Sequence, residues 1–264
     1  MSREGWGDLP SVNWIGVWTL YRREVRRFLK VAAQTVAGPA VTTTLILLVF
    51  SVALGRRTPA VEQMSYTGFL APGLIMMSVM QNAFANTSSS LLIAKLQGNI
   101  ADFLMAPLSP AELTWGFALS GVTRGVLVGV VVGLAMWPFV PLDVVHPAFV
   151  LLHALAASLL LALLGILGGL WAQKMDQLAA VTSFVVTPLT FLSGTFYSVG
   201  DLPGPFQTLA RLNPFFYMID GFRYGMTDQA DGSLAVGLLV VTGANLALVF
   251  ACHRLFAAGW RLKP

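Results

Sequence analysis

Cysteine and charged side chains are both scarce in this chain, and each shortage narrows what the protein can be. Cys252 is the only cysteine among the 264 residues, which excludes an internal disulfide and a cysteine-cluster metal site. Charged residues make up 11% of the chain and hydrophobic residues 56%. With a mean hydropathy of +0.74, little sequence remains for a soluble domain. We therefore expect a single membrane domain over residues 1–264.

Charge is absent altogether from six long stretches, and these hold most of the apolar residues. A helix needs about 20 apolar residues to cross a bilayer, and each stretch is about that long or longer. Because the backbone cannot bond to water inside lipid, each stretch is expected to be helical. The sequence thus predicts an all-α membrane protein with six transmembrane helices. The predicted spans are 32–54, 66–88, 115–138, 147–171, 178–198 and 233–254.

Lysine and arginine are unevenly distributed among the segments between these spans. Six spans place both termini on one side, and that side holds most of the cations. They are Arg3, Arg22, Arg23, Arg26, Arg27, Lys30, Lys95, Lys174, Arg254, Arg261 and Lys263, against Arg56, Arg57, Arg211 and Arg223 on the other side. The positive-inside rule makes the first side cytoplasmic. The formal charge of +4 therefore indicates contact with anionic lipid rather than with nucleic acid.

Segment 12–30 is predicted to be an amphipathic helix at the membrane interface. Its apolar residues recur at spacings of three and four and share one helical face, while basic residues fill the rest. The apolar residues are Trp14, Trp18, Tyr21, Val25 and Phe28. A basic helix with an aromatic face suits the headgroup layer. The alternative is an ordinary juxtamembrane anchor with no further role.

Segment 200–228, before the last span, is predicted to form two short re-entrant helices on the outer side. It carries nine large apolar side chains between Phe206 and Phe222, too many for a loop in water, and Asn213-Pro214 interrupts it. Such helices are tolerated at membrane depth only where protein covers them. We therefore expect this segment to pack against the spans.

Small and polar residues inside the spans predict helix contacts. Four glycines, each four residues from the next, let another helix approach closely, either within one subunit or between two. They are Gly121, Gly125, Gly129 and Gly133. Arg124 beside them either faces a cavity or interface, or extends to the cytoplasmic surface. Gln81, Asn82 and Asn86 of the second span either line a path or make interhelical hydrogen bonds, and the second interpretation is favoured.

The chain lacks the groups that would power transport by itself. No acidic residue lies inside a span, which disfavours a carrier coupled to protons or sodium. A P-loop needs a glycine before its lysine, and the four lysines follow Leu29, Ala94, Gln173 and Leu262. We expect no cofactor on this chain, and uphill transport would need energy from a separate one.

An intramembrane enzyme is a remote alternative. Ser193 and His253 lie in different spans, but the serine lacks the glycine two residues before it that rhomboid-type proteases have. His146 and His153 are too few ligands for a zinc site. The sequence therefore favours a protein that is not an enzyme.

Several stretches resemble the membrane subunit of type-2 ABC exporters, and the likeness covers almost the whole chain. The stretches are 69–80 in the second span, Asn99-Ile-Ala-Asp-Phe-Leu-Met-Ala-Pro-Leu-Ser-Pro110, 187–194 in the fifth span and Leu212-Asn-Pro-Phe-Phe-Tyr-Met-Ile-Asp-Gly-Phe-Arg-Tyr-Gly225. Together they look closest to the YadH-like subgroup of Gram-negative inner-membrane permeases.

The resemblance implies an ATP-driven exporter permease in the bacterial inner membrane. Two permeases, identical or different, would form the path at their interface, and two separate ATPase subunits would bind ATP and Mg. Segment 12–30 would be the elbow helix, and segment 95–110 would couple to the ATPase. The coupling residues would be Lys95, Gln97, Gly98, Ile100, Asp102, Phe103, Leu104 and Pro107. The outer re-entrant motif would contain Asn213, Pro214, Tyr217 and Arg223.

The cargo and one further function stay open at this point. Lipid-linked glycans, lipids and amphipathic drugs are the cargo candidates, because the spans are mostly apolar. A membrane scaffold that recruits an ATPase without transporting anything is the alternative function.

Overall fold

The computed structural model describes residues 12–54 and 65–261, and every regular element in these ranges is a helix. Four of the cations counted for the orientation lie outside these ranges: Arg3, Arg56, Arg57 and Lys263. The helices are α1 (Trp14–Leu29), α2 (Gly38–Leu54), α3 (Tyr66–Leu96), α4 (Ile100–Met105), α5 (Pro110–Met136), α6 (Pro147–Trp171), α7 (Met175–Val181), α8 (Thr187–Phe191), α9 (Gly204–Leu212), α10 (Pro214–Thr227) and α11 (Leu234–Ala258). A short 3-10 turn, Val199–Asp201, lies between α8 and α9.

Helix α3 is the centre of the molecule, because α2, α5, α6 and α10 all pack against it. It is 31 residues long, and the Ser65 side chain accepts the Gly68 N–H at its start. Most of its residues are buried, including polar ones such as Asn86 and Thr87. The Thr87 hydroxyl donates to the Ala162 carbonyl of α6 at 2.7 Å. The other long helices form a shell around this core.

Glycines on α5 let this helix approach α3 and α6 closely. A Cβ placed on Gly125 would lie 2.9 Å from the Val79 carbonyl oxygen, and one on Gly129 would lie 2.5 Å from Val79 Cγ2. A Cβ on Gly121 would lie 2.6 Å from Ala162 Cβ of α6, whereas Gly133 has room. Three of the four glycines predicted for close packing therefore make contacts within one chain.

Two π-helical turns each stand directly before a proline. Ala33–Ala37 precedes Gly38-Pro39, and Thr182–Val186 precedes Thr187-Pro188. A proline inside a helix donates no backbone hydrogen bond and its ring crowds the carbonyl four residues earlier. The wider turn accommodates this, since the N–H of Thr187 bonds to the Thr182 carbonyl. The helix continues through Pro188, and Met175–Phe191 forms one helical segment, called the α7–α8 run.

Within residues 12–54 and 65–261, five helices are long and apolar enough to cross a membrane: Ala33–Ala53, α3, α5, α6 and α11. They fall on five of the six predicted spans. The remaining span, predicted over 178–198, differs from a regular helix because the α7–α8 run ends at Phe191 and residues 192–197 form turns and bends. The protein is all-helical in its described ranges, and the α7–α8 run of 17 residues is shorter than each of the five candidate spans.

Helix α1 lies along the first half of α5. The Asn13 N–H donates to the Glu112 carboxylate at 2.5 Å, and the Tyr21 hydroxyl contacts the Thr123 hydroxyl at 3.0 Å. Its buried residues are Leu20, Glu24 and Phe28. The apolar face predicted for segment 12–30 is therefore divided. Phe28 is buried within the protein, whereas Trp14 and Trp18 are exposed.

Candidate functional site

The end of the α7–α8 run is unwound, and several of its backbone carbonyl groups accept hydrogen bonds from side chains. Two of the donors are local: Thr195 Oγ1 donates to the Thr190 carbonyl at 2.9 Å and the Tyr197 hydroxyl to the Phe191 carbonyl at 3.2 Å. From the start of α3, the Tyr66 hydroxyl donates to the Phe196 carbonyl at 3.1 Å. Buried backbone groups without helical partners need such donors.

Asn213 bonds the unwound end to the junction of α9 and α10. Its amide nitrogen donates to the Leu189 carbonyl and to the Ser193 hydroxyl, both at 2.8 Å, while its oxygen accepts the Phe215 N–H at 3.1 Å. Asn213 is thus the N-cap of α10 as well as a donor to α8. Pro214 occupies the first helical position, where no N–H is required.

Arg223 makes a further long-range hydrogen bond to the unwound end. Its Nη2 donates to the Gly194 carbonyl at 2.6 Å, and its guanidinium lies 3.8 Å from the centre of the Phe69 ring. Both the positive φ of Gly194 and the close approach of Gly73 to the Thr195 carbonyl suit glycine. The motifs around residues 69, 194 and 223 therefore meet at one place. We call this place, together with Asn213 and Tyr66, the clamp.

Two carboxylates brace the loop that follows α10. Asp220 accepts the N–H groups of Asp231 and Gly232 at 2.7 and 3.0 Å. Asp231 in turn accepts the Ser198 hydroxyl and the Val199 N–H, both at 2.9 Å. The loop before α11 is thereby fixed to the segment that follows the unwound end.

Helix α10 runs antiparallel to the first half of α6. The His146 N–H bonds to the Gly225 carbonyl near one end, and Gly221 lies directly against the His153 ring further along. Phe215 and the junction at Asn213 therefore lie deepest along α6. Tyr217, also part of the predicted outer motif, packs beside Gly237 of α11.

At the opposite end of the bundle, Lys95 joins α3 to α6. Its ammonium donates to the carbonyls of Gly169, Leu170 and Ala172 at 3.1, 2.7 and 2.6 Å, where α6 ends. A cation at a helix C-terminus satisfies unpaired carbonyls and opposes the negative end of the helix dipole. Lys95 therefore has an intramolecular role, and it is half-buried.

The remaining coupling residues of the sequence prediction divide by exposure. Gly98, with φ +74°, makes the turn from α3 to α4, and Ile100 is buried. The side chain of Leu104 lies outside the described part of the structure. Gln97, Asp102 and Pro107 are exposed. Met105, at the end of α4, is an exposed apolar side chain, at 76%.

Phe103, expected to present its ring to an ATPase, is instead buried within the chain. Its ring centre lies 5.3 Å from that of Phe117 on α5, and the Arg23 guanidinium of α1 lies 4.5 Å over it. Phe117 stacks in turn on Phe256 of α11 at 6.4 Å. Phe103 thus anchors α4 to α1 and α5, and through Phe117 to α11.

A buried polar seam runs along α3, through Ser78, Asn82 and Asn86. The Asn82 side-chain oxygen accepts a hydrogen bond from Nη2 of Arg124 at 3.0 Å. The Asn86 amide nitrogen donates to the Ser120 hydroxyl at 2.9 Å. Arg124 is buried, so it does not extend to the surface. Asn82 and Asn86 thus make hydrogen bonds between α3 and α5. Gln81 is only half-buried and neighbours Asn82 in sequence.

The seam also includes two charged residues of α1 that sequence reasoning missed. Arg27 donates to the Asn86 carbonyl at 2.7 Å and forms an ion pair with Glu24 at 3.0 Å. Glu24, which the sequence analysis did not single out, is almost fully buried. The spacing of four residues along Ser78, Asn82 and Asn86 was the available signal for a polar contact surface on α3.

Ser193 is engaged in holding the unwound end. Its hydroxyl donates to the Leu189 carbonyl at 2.5 Å and accepts from Asn213. His253 lies near the C-terminal end of α11. In the described ranges, His, Cys, Asp and Glu side chains form no group of three able to hold a metal ion.

A protein-family model and several known proteins each match most of the chain. A family model described as ABC-2 type transporter matches residues 16–227. The chain is 38% identical over 255 residues to the inner membrane transport permease YadH of Escherichia coli K12, covering 97% of this chain and all of that protein. It is 29% identical over 247 residues to nodulation protein J of Rhizobium leguminosarum bv. viciae, covering 90% and 92% of the two chains.

Proposed function

The chain belongs to the ABC-2 type transporter family, and from that membership we propose that it is the permease subunit of an ATP-driven exporter in a bacterial inner membrane. The permease would bind no ATP itself. A separate ABC ATPase would bind ATP and Mg, and a second permease copy would complete the translocation path. The arrangement of two permeases with two ATPases is part of the proposal.

We propose six crossings, with the α7–α8 run as the fifth. A 17-residue helix rises about 26 Å, slightly less than the roughly 30 Å of a hydrocarbon core. Residues 192–198 can complete the crossing because their surroundings bond the exposed carbonyls, which is the condition for irregular backbone at membrane depth. Both termini would then be cytoplasmic by the lysine and arginine count. The junction of α9 and α10 would re-enter from the outer side.

The surface around α4 is proposed as the docking site for the ATPase. Met105 presents an apolar side chain next to exposed Asp102, and Leu96 lies exposed at the end of α3. An exposed apolar group with a polar surround is typical of an interaction surface. Phe103 on the buried side would transmit a displacement of α4 to α5 and α1. The pairing of exposed Met105 with anchored Phe103 is the observation that carries the proposal.

Met105→Asp is expected to weaken ATPase recruitment by at least about 10-fold, because an apolar interface residue near the centre of a contact contributes roughly 2 kcal/mol. The permease would be co-expressed with a candidate ABC ATPase of the same genome and reconstituted in nanodiscs. Co-purification and ATP hydrolysis would then be measured for both variants. Normal recruitment and normal hydrolysis with Met105→Asp would contradict this docking site.

Val145→Asp is the matched control for that measurement. Val145 is likewise exposed and apolar, and it lies in the connection between α5 and α6 at the far end of the bundle. We expect its substitution to leave recruitment unchanged. A loss of recruitment in both variants would indicate general misfolding rather than a damaged docking surface.

A further inference from the structure

Arg124 on α5 is a buried cation that uses little of its hydrogen-bonding capacity. A guanidinium carries five N–H donors, and the hydrogen bond that Arg124 makes within the described residues runs from Nη2 to the Asn82 side-chain oxygen. Its Nε is fully buried and has no partner in that part of the chain. The residue as a whole is only 9% exposed. Because buried donors are normally hydrogen-bonded, such a guanidinium needs a physical explanation.

The charges around Arg124 do not balance. Arg27 of α1 lies close enough to repel it. Arg27 is itself paired with Glu24, and within residues 12–54 and 65–261 no other carboxylate forms an ion pair with either arginine. Two guanidiniums therefore share one carboxylate, which leaves one positive charge without a partner. An unpaired charge is costly inside a protein or a bilayer.

The two arginines lie at different depths below the cytoplasmic interface. Asn86, which accepts from Arg27, is two residues inside the end of the predicted span 66–88, or about 3 Å along the helix. Asn82, which accepts from Arg124, is six residues inside it, or about 9 Å. The Arg27 side chain is 31% exposed. The pair therefore extends from the headgroup layer into the cytoplasmic leaflet.

Only an anion can balance this charge. An acyl chain of the surrounding lipid offers neither a negative charge nor a hydrogen-bond acceptor. Water accepts hydrogen bonds but leaves the charge uncompensated. A second copy of this chain brings no carboxylate to this depth, because none of the six predicted spans contains an aspartate or a glutamate. The counter-charge must therefore belong to a ligand that enters from the cytoplasmic side.

Phosphate is the anion that suits both the donors and the location. The planar fork of a guanidinium matches the oxygen geometry of phosphate and forms charge-assisted hydrogen bonds with it. Phosphate groups also make up the headgroup layer of anionic lipids, which basic segments on the cytoplasmic side attract.

We propose that Arg124 and Arg27 form a binding site for a phosphate group that enters from the cytoplasmic headgroup layer. The phosphate belongs either to the headgroup of a membrane amphiphile or to a free anion. The inference rests on the membrane placement in the proposed function, for which it names a ligand class, and it is independent of ATP coupling.

Binding of two lipids that differ only in the phosphate tests the proposal. Phosphatidic acid and diacylglycerol with the same radiolabelled acyl chains would be titrated into the full-length protein in a non-ionic detergent at fixed ionic strength. We expect the parent to bind phosphatidic acid at least about tenfold more tightly than diacylglycerol. Arg124→Gln should weaken the binding of phosphatidic acid at least about tenfold, because it removes a charge-assisted donor, and should leave that of diacylglycerol unchanged.

Arg22→Gln is the matched control, because it removes the same charge from an exposed position of α1. We expect it to change the affinity for phosphatidic acid less than about twofold. This comparison separates a specific site from the general attraction between a basic protein and an anionic lipid.

Asn82→Asp is a second variant that keeps Arg124 in place. The new carboxylate would accept from Arg124 at the position of the present amide oxygen and would supply the missing counter-charge. We expect it to weaken the binding of phosphatidic acid as strongly as Arg124→Gln, while the temperature of thermal unfolding stays equal to that of the parent or rises. Loss of binding in a protein of undiminished stability cannot be attributed to misfolding.

Competition by inorganic phosphate identifies the source of the group. Sodium phosphate would replace sodium chloride at constant ionic strength. Displacement of phosphatidic acid shows that the free anion occupies the site, and retention shows that the lipid headgroup is the ligand. Equal affinities of the parent for the two lipids would overturn the proposal. So would losses in Arg124→Gln and Asn82→Asp no larger than that in Arg22→Gln. Since no ATPase is present, a failure of ATPase recruitment leaves this result interpretable.

Discussion

Gly165→Ala is expected to destabilise the bundle by about 3 kcal/mol or more and to leave little folded protein. A Cβ at this position would overlap Thr87 Oγ1 and would lie 2.5 Å from the Phe84 carbonyl oxygen. Neither atom can move cheaply, because the hydroxyl already donates to the Ala162 carbonyl and the carbonyl belongs to the α3 backbone. Helices α3 and α6 would have to separate along the principal contact of the core.

Gly243→Ala on α11 provides the control, because a Cβ there meets nothing within 4 Å. Alanine is favoured over glycine in a helix by about 1 kcal/mol, so this variant should be as stable as the parent or slightly more so. The yield of monodisperse protein and its thermal unfolding in detergent would be compared for both. Equal stability of Gly165→Ala and Gly243→Ala would show that α3 and α6 do not pack this closely.

Thr87→Ala combined with Gly165→Ala would identify the cause of the loss. Removing the hydroxyl relieves the worse of the two overlaps, so the double variant should recover part of the stability. The two substitutions should therefore be non-additive, as expected for residues in contact. Additive losses would indicate that Thr87 and Gly165 do not face one another.

The glycine pattern illustrates what the sequence could and could not predict. Spacings of four residues on the third span predicted a close helix approach, and the structure places Gly121, Gly125 and Gly129 in such contacts. The identity of the opposing helix was not predictable, since a row of glycines carries no information about the surface that meets it. The match to the family over residues 16–227 confirms the resemblance that the other motifs suggested.

The fifth predicted span shows what hydropathy does not reveal about local structure. Residues 177–200 carry no charge and were predicted as a span over 178–198, but the helix ends at Phe191. Hydropathy cannot detect the unwound end, because its hydrogen-bond donors Tyr66, Asn213 and Arg223 are distant in sequence.

Helix α1 contains a buried charge that composition did not predict. Glu24 is a surface residue by composition, and only its contact with Arg27 against α3 explains its burial.

Asn213→Ala is expected to loosen the unwound end by about 2–4 kcal/mol. Loss of the N-cap of α10 costs about 1 kcal/mol, and loss of the two hydrogen bonds that Asn213 donates, to the Leu189 carbonyl and the Ser193 hydroxyl, costs about 0.5–1.5 kcal/mol each. Since 1.4 kcal/mol is a factor of ten, amide exchange in residues 192–198 should accelerate by roughly 30- to 1,000-fold if opening is local. Hydrogen exchange measured by mass spectrometry in nanodiscs would detect this change.

Asn213→Asp separates the two roles of this side chain. The carboxylate can still accept the Phe215 N–H, so the cap of α10 is kept, but it cannot donate to the Leu189 carbonyl or the Ser193 hydroxyl. If the clamp depends on donation, Asn213→Asp should accelerate exchange in 192–198 at least as strongly as Asn213→Ala, because it adds a buried charge beside that carbonyl. If Asn213→Asp exchanges like the parent, only the cap matters. The unwound end would then need another explanation for its stability in the membrane.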